Sequence, residues 1–193
     1  GLGVKTGAIS RDTGQGAVKA TENSLDVAIQ GRGYFQVQLP DGSTAYSRDG
    51  SFKLSAEGTI VTSQGYTVQP AITVPNNAQS ISINSSGEVE ITLQGQTTAT
   101  QLGQLQLASF VNPNGLEALG DNLYMETAAS GSALVNNPGL DGTGTILQGY
   151  LENSNVNPVT EITSLIVAQR AYEMNTKVLT AVDKMLQSLN QSA

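Results

Sequence analysis

The sequence predicts a mainly β fold: many short antiparallel strands gathered in one β domain, followed by one long C-terminal α-helix. Two observations carry this. From Ala17 to about Gln148 the chain consists of short runs with a period of two, broken by Gly, Asn and Asp. From Pro158 to Leu189 there is no Gly and no further Pro, and the large apolar residues return at helical spacing. Residues 1–16 are expected to form an extended arm, 17–148 the β-rich domain and 149–193 a helical segment.

The arm holds Gly1, Gly3, Gly7, Gly14 and Gly16 and too few large apolar groups for a core. In the first strand Leu25, Val27 and Ile29 alternate with Asp26 and Ala28, after which Gly31 and Gly33 bracket Arg32. A second strand is expected from Tyr34 to Leu39, and Pro40-Asp41-Gly42 turns the chain into a third at Thr44 to Ser47. Further strands are expected at Phe52–Leu54, Thr59–Thr62, Ile81–Ile83, Val89–Leu93, Leu105–Phe110, Leu123–Glu126 and Thr145–Gln148. Ser85-Ser86-Gly87 and Asn112-Pro113-Asn114-Gly115 are the strongest turn signals between them. The loop Asn136 to Gly144 is expected to lead out of the β domain toward the helix.

Asn157 suits the N-cap of that helix and Pro158 its first position. Leu165, Tyr172, Leu179 and Leu186 recur every seven residues, with Ala168, Ala171, Val178, Val182, Met185 and Leu189 on the flank beside them. Arg170, Lys177 and Lys184 form a polar row on the other side, and Glu173 is placed to pair with Lys177. A terminal helix docked along its own domain is the plainer reading. Yet a helix of roughly 45 Å exceeds the width of a small core, so part of its stripe must meet something else. Gln169, Thr176 and Asp183 interrupt a strict two-stranded seam, while Ala168, Ala171 and Ala181 allow close approach. A bundle or a helical polymer fits better.

Composition narrows the function. With 193 residues the chain can build one good core or two small ones. Its net charge of −7 and scattered basic residues leave no positive patch, which argues against nucleic acid and against an anionic membrane surface. Cysteine and histidine are both absent, removing disulfides, thiolate chemistry and the commonest general base and zinc ligand. No apolar run approaches the roughly 20 residues that span a bilayer. The chain opens Gly1-Leu2-Gly3 without methionine, so a leading segment is expected to precede it.

Candidate chemistry is weak throughout. The Gly-x-Gly triplets at Gly14, Gly31 and Gly142 lack the third glycine, the Lys-Ser or Lys-Thr pair and the helix that a phosphate cradle requires, and read as turns. Asp41 and Asp49 are read as turn residues rather than a glycosidase pair. The loop Asn136 to Asp141 lacks the alternating acids of a calcium loop, and Asn84-Ser85-Ser86 is a short glycosylation match. Arg48, Asp49, Gly50, Ser51 and Phe52 form a compact group between two strands. It is either a turn decorated with charges, with Phe52 leading into the core, or a fixed surface element for a neighbouring subunit. No catalytic residue, cofactor or metal is expected.

Three stretches resemble the bacterial flagellar rod and hook family: SLDVAIQGRGYFQV from Ser24, YSRDGSFKLSAEGTIVTSQGYTVQP from Tyr46, and LENSNVNPVTEITSLIVAQRAYEMNTKVL from Leu151. The first two carry Gly31, Gly33, Tyr34, Phe35, Arg48, Asp49, Gly50 and Phe52, and recur in looser form across the family. The third carries Asn155, Val156, Asn157, Gln169, Arg170 and Glu173 and favours its distal rod members. The resemblance implies a rod/hook-type β domain and an axial subunit, exported by the flagellar type III apparatus and polymerised into the shaft crossing the periplasm. It implies as partners further copies of the chain, other rod proteins, the hook protein, the surrounding ring proteins and the export apparatus. The family's amino-terminal helix has no counterpart here, and Gly1 is expected to start just after it. The assembly interface is expected on Leu165, Ala168, Tyr172, Val178, Leu179, Val182, Met185, Leu186 and Leu189. A proximal rod or hook protein is the alternative within the family. A secreted carbohydrate-binding or carbohydrate-cleaving β domain is the alternative outside it, disfavoured by 5% aromatics and no tryptophan.

Overall fold

The computed structural model describes residues 12–96 and 98–191, with helix side chains through Gln187. Most of the expected arm, and the side chain of Leu189, lie outside the described residues. The strands in chain order are β1 (Val18–Ala20), β2 (Val27–Gln30), β3 (Tyr34–Gln38), β4 (Thr44–Ser47), β5 (Lys53–Leu54), β6 (Ile60–Val61), β7 (Thr67–Gln69) and β8 (Ala78–Ile83). They continue as β9 (Glu88–Leu93), β10 (Ala99–Gln104), β11 (Leu107–Ser109), β12 (Glu117–Gly120), β13 (Leu123–Met125), β14 (Leu134–Asn136), β15 (Thr145–Gln148) and β16 (Tyr150–Glu152). One helix follows, α1 (Pro158–Gln191). The fold is mainly β with a single C-terminal helix, and all strand pairs among the described residues are antiparallel.

The largest sheet has nine strands, running β12-β13-β4-β3-β7-β6-β5, with β11 joining β3 to β14. Its centre is β3, which pairs with β4 along its length, with β7 from Gln36 to Gln38 and with β11 at Tyr34 and Phe35. Alternation explains why this strand reads Tyr-Phe-Gln-Val-Gln. Phe35 and Val37 point into the main core with Val27, Ile29, Ile60, Val68, Ile91, Leu105 and Leu107. Tyr34 enters a second cluster with Tyr46, Ala108 and Leu116, where Phe110 stands edge-on to both tyrosines. Each fully buried large side chain contributes about 1.5–3 kcal/mol in gross terms, so the two clusters together hold the unit. The sheets β8-β9-β10 and β2-β15 supply Val89, Ile91, Ile29 and Ile146 to the main core.

The expected turns form through backbone bonds and their own side chains. In the β3–β4 hairpin the Gly42 N–H donates to the Leu39 carbonyl, and φ at Gly42 is 85°. Asn84 holds the β8–β9 turn, its Oδ1 accepting from the N–H groups of Ser86 and Glu88. The loop after Asn136 differs from expectation, because it does not leave the β domain. The Gly144 N–H donates to the Arg32 carbonyl, and β15 then pairs with β2 from Gln148↔Val27 to Thr145↔Gln30. A Cβ at Gly144 would overlap the Gln30 carbonyl oxygen, so glycine is required for this close approach. After it, β16 pairs with β1, extending the β ladder through Glu152.

The chain divides into two compact units, Gly1–Asn153 and Ser154–Ala193. In the second, the Asn157 side chain accepts from the Val159 N–H at 3.0 Å, the Asn157 carbonyl takes the first helical bond from Glu161, and Pro158 occupies the first helical position.

Candidate functional site

Two sets of residues stand out. The first is built around the turn from Ile29 to Gly33. Positive φ values of 113° at Gly31 and 140° at Gly33 turn the carbonyls of this segment toward Arg48. Arg48 Nη1 donates to the carbonyls of Gly31 at 3.1 Å and Gly33 at 3.2 Å, and Nη2 to that of Ile29 at 3.5 Å. Its Nε and Nη2 reach Glu152 Oε2 at 2.9 and 2.8 Å, and the guanidinium carbon lies 6.0 Å from the Tyr34 ring centre. The other carboxylate oxygen, Glu152 Oε1, accepts from the Gly16 N–H at 2.8 Å. Gln15 completes the node, donating to the Ile29 carbonyl and accepting from the Gly31 N–H.

Arg48 is therefore not the decoration of a turn. Its partner is Glu152, 104 residues further along, and both side chains are mostly buried, at 22% and 12% exposure. Asp49 is the turn residue, accepting from the Ser51 N–H at 3.0 Å. Gly50 meets β2 so closely that a Cβ would overlap the Val27 carbonyl oxygen, and it exchanges space for the Val27 N–H bond to its own carbonyl. Phe52 then stacks edge-on against Phe35, ring centres 5.0 Å apart. Gly31, Gly33, Tyr34, Phe35, Arg48, Asp49, Gly50 and Phe52 are thus brought together in one place. Sequence reading missed Glu152, Gln15 and Gly16, since only the pairing of β1 with β16 brings them there.

The second set is on α1, where Asn155, Val156 and Asn157 lead in and Gln169, Arg170 and Glu173 are exposed. Leu165, Tyr172, Val178, Leu179, Val182, Met185 and Leu186 are 47–75% exposed, and Ala168 is exposed beside them. Sequence reading followed one seven-residue row and the flank on one side of it, and so passed over Val159, Ile162, Ile166, Val167 and Met174, which are 43–71% exposed. At about 100° per residue, Val159, Ile162 and Ile166 lie on the opposite flank of Leu165 from Val178 and Met185. The apolar surface therefore wraps farther round than a single stripe. The expected Glu173–Lys177 pair is not closed: Arg48–Glu152 is the one side-chain ion pair found among the described residues. In water such a helical pair is worth only a few tenths of a kcal/mol, too little to fix two long side chains.

Asp41 is committed to its turn, its carboxyl held below the usual range first by the Ser43 hydroxyl and then by the Ser43 N–H. Among the described residues no group of three potential ligands is arranged for a metal ion.

Two family models match the chain: the flagellar hook protein FlgE/F/G D1 domain at residues 28–91, and the flagellar basal body rod FlgEFG protein C-terminal region at residues 147–192. The chain is 54% identical over 191 residues to the flagellar basal-body rod protein FlgG of Caulobacter vibrioides, covering 99% of this chain and 73% of that protein. It belongs to the FlgG-type flagellar basal-body rod protein family. The FlgG of Bacillus subtilis is 43% identical over 194 residues, covering 98% of this chain and 73% of its own. The rod protein FlgF of Caulobacter vibrioides is 36% identical over 178 residues, covering 89% and 66%. Within this rod family match, Arg48 falls in the first matched region and Glu152 in the second, so the ion pair ties the two together.

Proposed function

We propose that this chain is a structural axial subunit of the bacterial flagellar basal body, polymerising helically into the distal rod that carries torque from motor to hook. The observation that carries the reading is α1: a 34-residue helix whose large apolar side chains, as far as they are described, are all substantially exposed and occupy more than one face. Exposed apolar area of that extent marks an interaction surface, and a helix apolar on several faces serves several neighbours at once. Identity of 54% to a FlgG against 36% to a FlgF from the same organism supports the distal rod over a proximal one. Helical assembly needs heterologous contacts that do not close, so moderate contacts repeated along several directions suffice. The partners in this reading are further copies of the chain, then neighbouring rod proteins, the hook protein and the ring proteins around the rod. The role is structural rather than catalytic.

Electron microscopy of the complete gene product tests this. Straight tubular polymers are expected, and their loss on Leu179→Asp. Protein that stays unassembled at every concentration, or a Leu179→Asp variant that assembles normally, would overturn the proposal.

A further inference from the structure

The β1–β16 ladder lies where the chain enters the β unit and where it leaves. It is three residues long on each strand, and every residue of β1 is exposed. Isolated two-stranded ladders of this length are marginal in water. Its geometry adds a mechanical weakness. Val18 pairs with Glu152 and Ala20 with Tyr150, so the incoming chain before Val18 and the outgoing chain after Glu152 leave from the same end. Tension between those two segments opens the ladder from that end, loading its hydrogen bonds one after another instead of together. The first to be loaded is the Asn153 N–H bond to the Ala17 carbonyl.

Glu152 occupies that open end. Through Oε1 it holds the Gly16 N–H of the incoming chain, and through Oε2 it holds Arg48. Arg48 in turn grips the carbonyls of Gly31 and Gly33, between the buried strands β2 and β3. Gln15 binds the same turn directly from the incoming side. We propose that the Arg48–Glu152 pair is a mechanical latch: it closes the β1–β16 ladder at its loaded end and passes tension from both flanking segments into the core strands. That such tension arises in service rests on the rod reading. Charge-assisted bonds shared by a forked donor suit the task, because they are in parallel with the ladder rather than in series.

The chain has no cysteine, so handles can be attached at chosen positions for single-molecule pulling. Between Thr13→Cys and Val156→Cys, the force of the first rupture is expected to fall in Glu152→Gln, which removes the charge yet keeps an oxygen for Gly16. Arg48→Lys should fall partway, keeping the charge but losing the fork. Between Lys53→Cys and Glu117→Cys, on the strands that end the longest path of the nine-stranded sheet, the force should not change. Amide exchange in Val18–Ala20 and Tyr150–Glu152 should rise about tenfold in Glu152→Gln while that of β2 and β3 stays unchanged. Unchanged force between positions 13 and 156, or an equal drop in both pulling directions, overturns the latch. If the complete gene product makes no tubular polymer but the direction-dependent loss is seen, the rod reading fails and the latch stands; tubular polymers with unchanged force give the reverse.

Discussion

At position 50 there is no room for a methyl group. A Cβ there would overlap the Val27 carbonyl oxygen and come within 3.2 Å of the Phe35 ring, and both neighbours are held by core packing. Gly50→Ala should therefore destabilise the β unit by about 3 kcal/mol, read as a lower urea midpoint at unchanged slope. Tyr46 gives a pH dependence. Burial, and then the negative charge of Glu126, raise its pKa above the ordinary 10.0. Above about pH 10 the unfolded chain gives up this proton while the folded chain retains it, so the unfolded state binds fewer protons and stability falls as pH rises. Tyr46→Phe should flatten that decline in urea titrations across the same range, whereas equal slopes in both proteins would rule the effect out. At this scale legibility was uneven. That Asp41 and Asp49 serve turns was readable from their neighbours, but the partner of Arg48 was not, because local pattern carries no information on a contact spanning 104 residues.

Most strands that bury one face were legible, though β7, which buries Val68, was passed over, and most that bury none were not. The strands β4 and β15 lie where alternation placed them, and β2, β3, β9 and β13 shift by a residue or two at their ends. By contrast β1, β12 and most of β14 are exposed, and the first half of β10 is exposed too, so they show no apolar alternation and exist because a neighbour offers its backbone. The helix was readable from end to end, since a cap, an initial proline and an unbroken helix-forming run all agree. Asn157→Ala should leave the Val159 N–H without its side-chain acceptor and cost the first turn about 1 kcal/mol. Faster amide exchange at Val159 and Thr160, with later turns unaffected, is the expected signature.

For the whole molecule, folding and the proposed assembly draw on different residues. The core of the β unit is made by residues between Val27 and Ile146, whereas the proposed assembly surface is on α1. Leu179 is 64% exposed, so Leu179→Asp should change the unfolding free energy of the β unit by less than about 0.5 kcal/mol while abolishing polymers. A loss of both together would tie folding to assembly and contradict this separation.

Two of the outer strands of the nine-stranded sheet, at the ends of its longest path, bear on how the β unit resists pairing with other chains. One of them, β5, is only two residues long and carries Lys53; the other, β12, begins with Glu117 and has its register broken between Ala118 and Gly120. Shortness, charge and a bulge each spoil a strand as a template for another chain. Edge-to-edge pairing with a second chain, one route from a β-rich protein to an insoluble fibre, is therefore obstructed at these two margins.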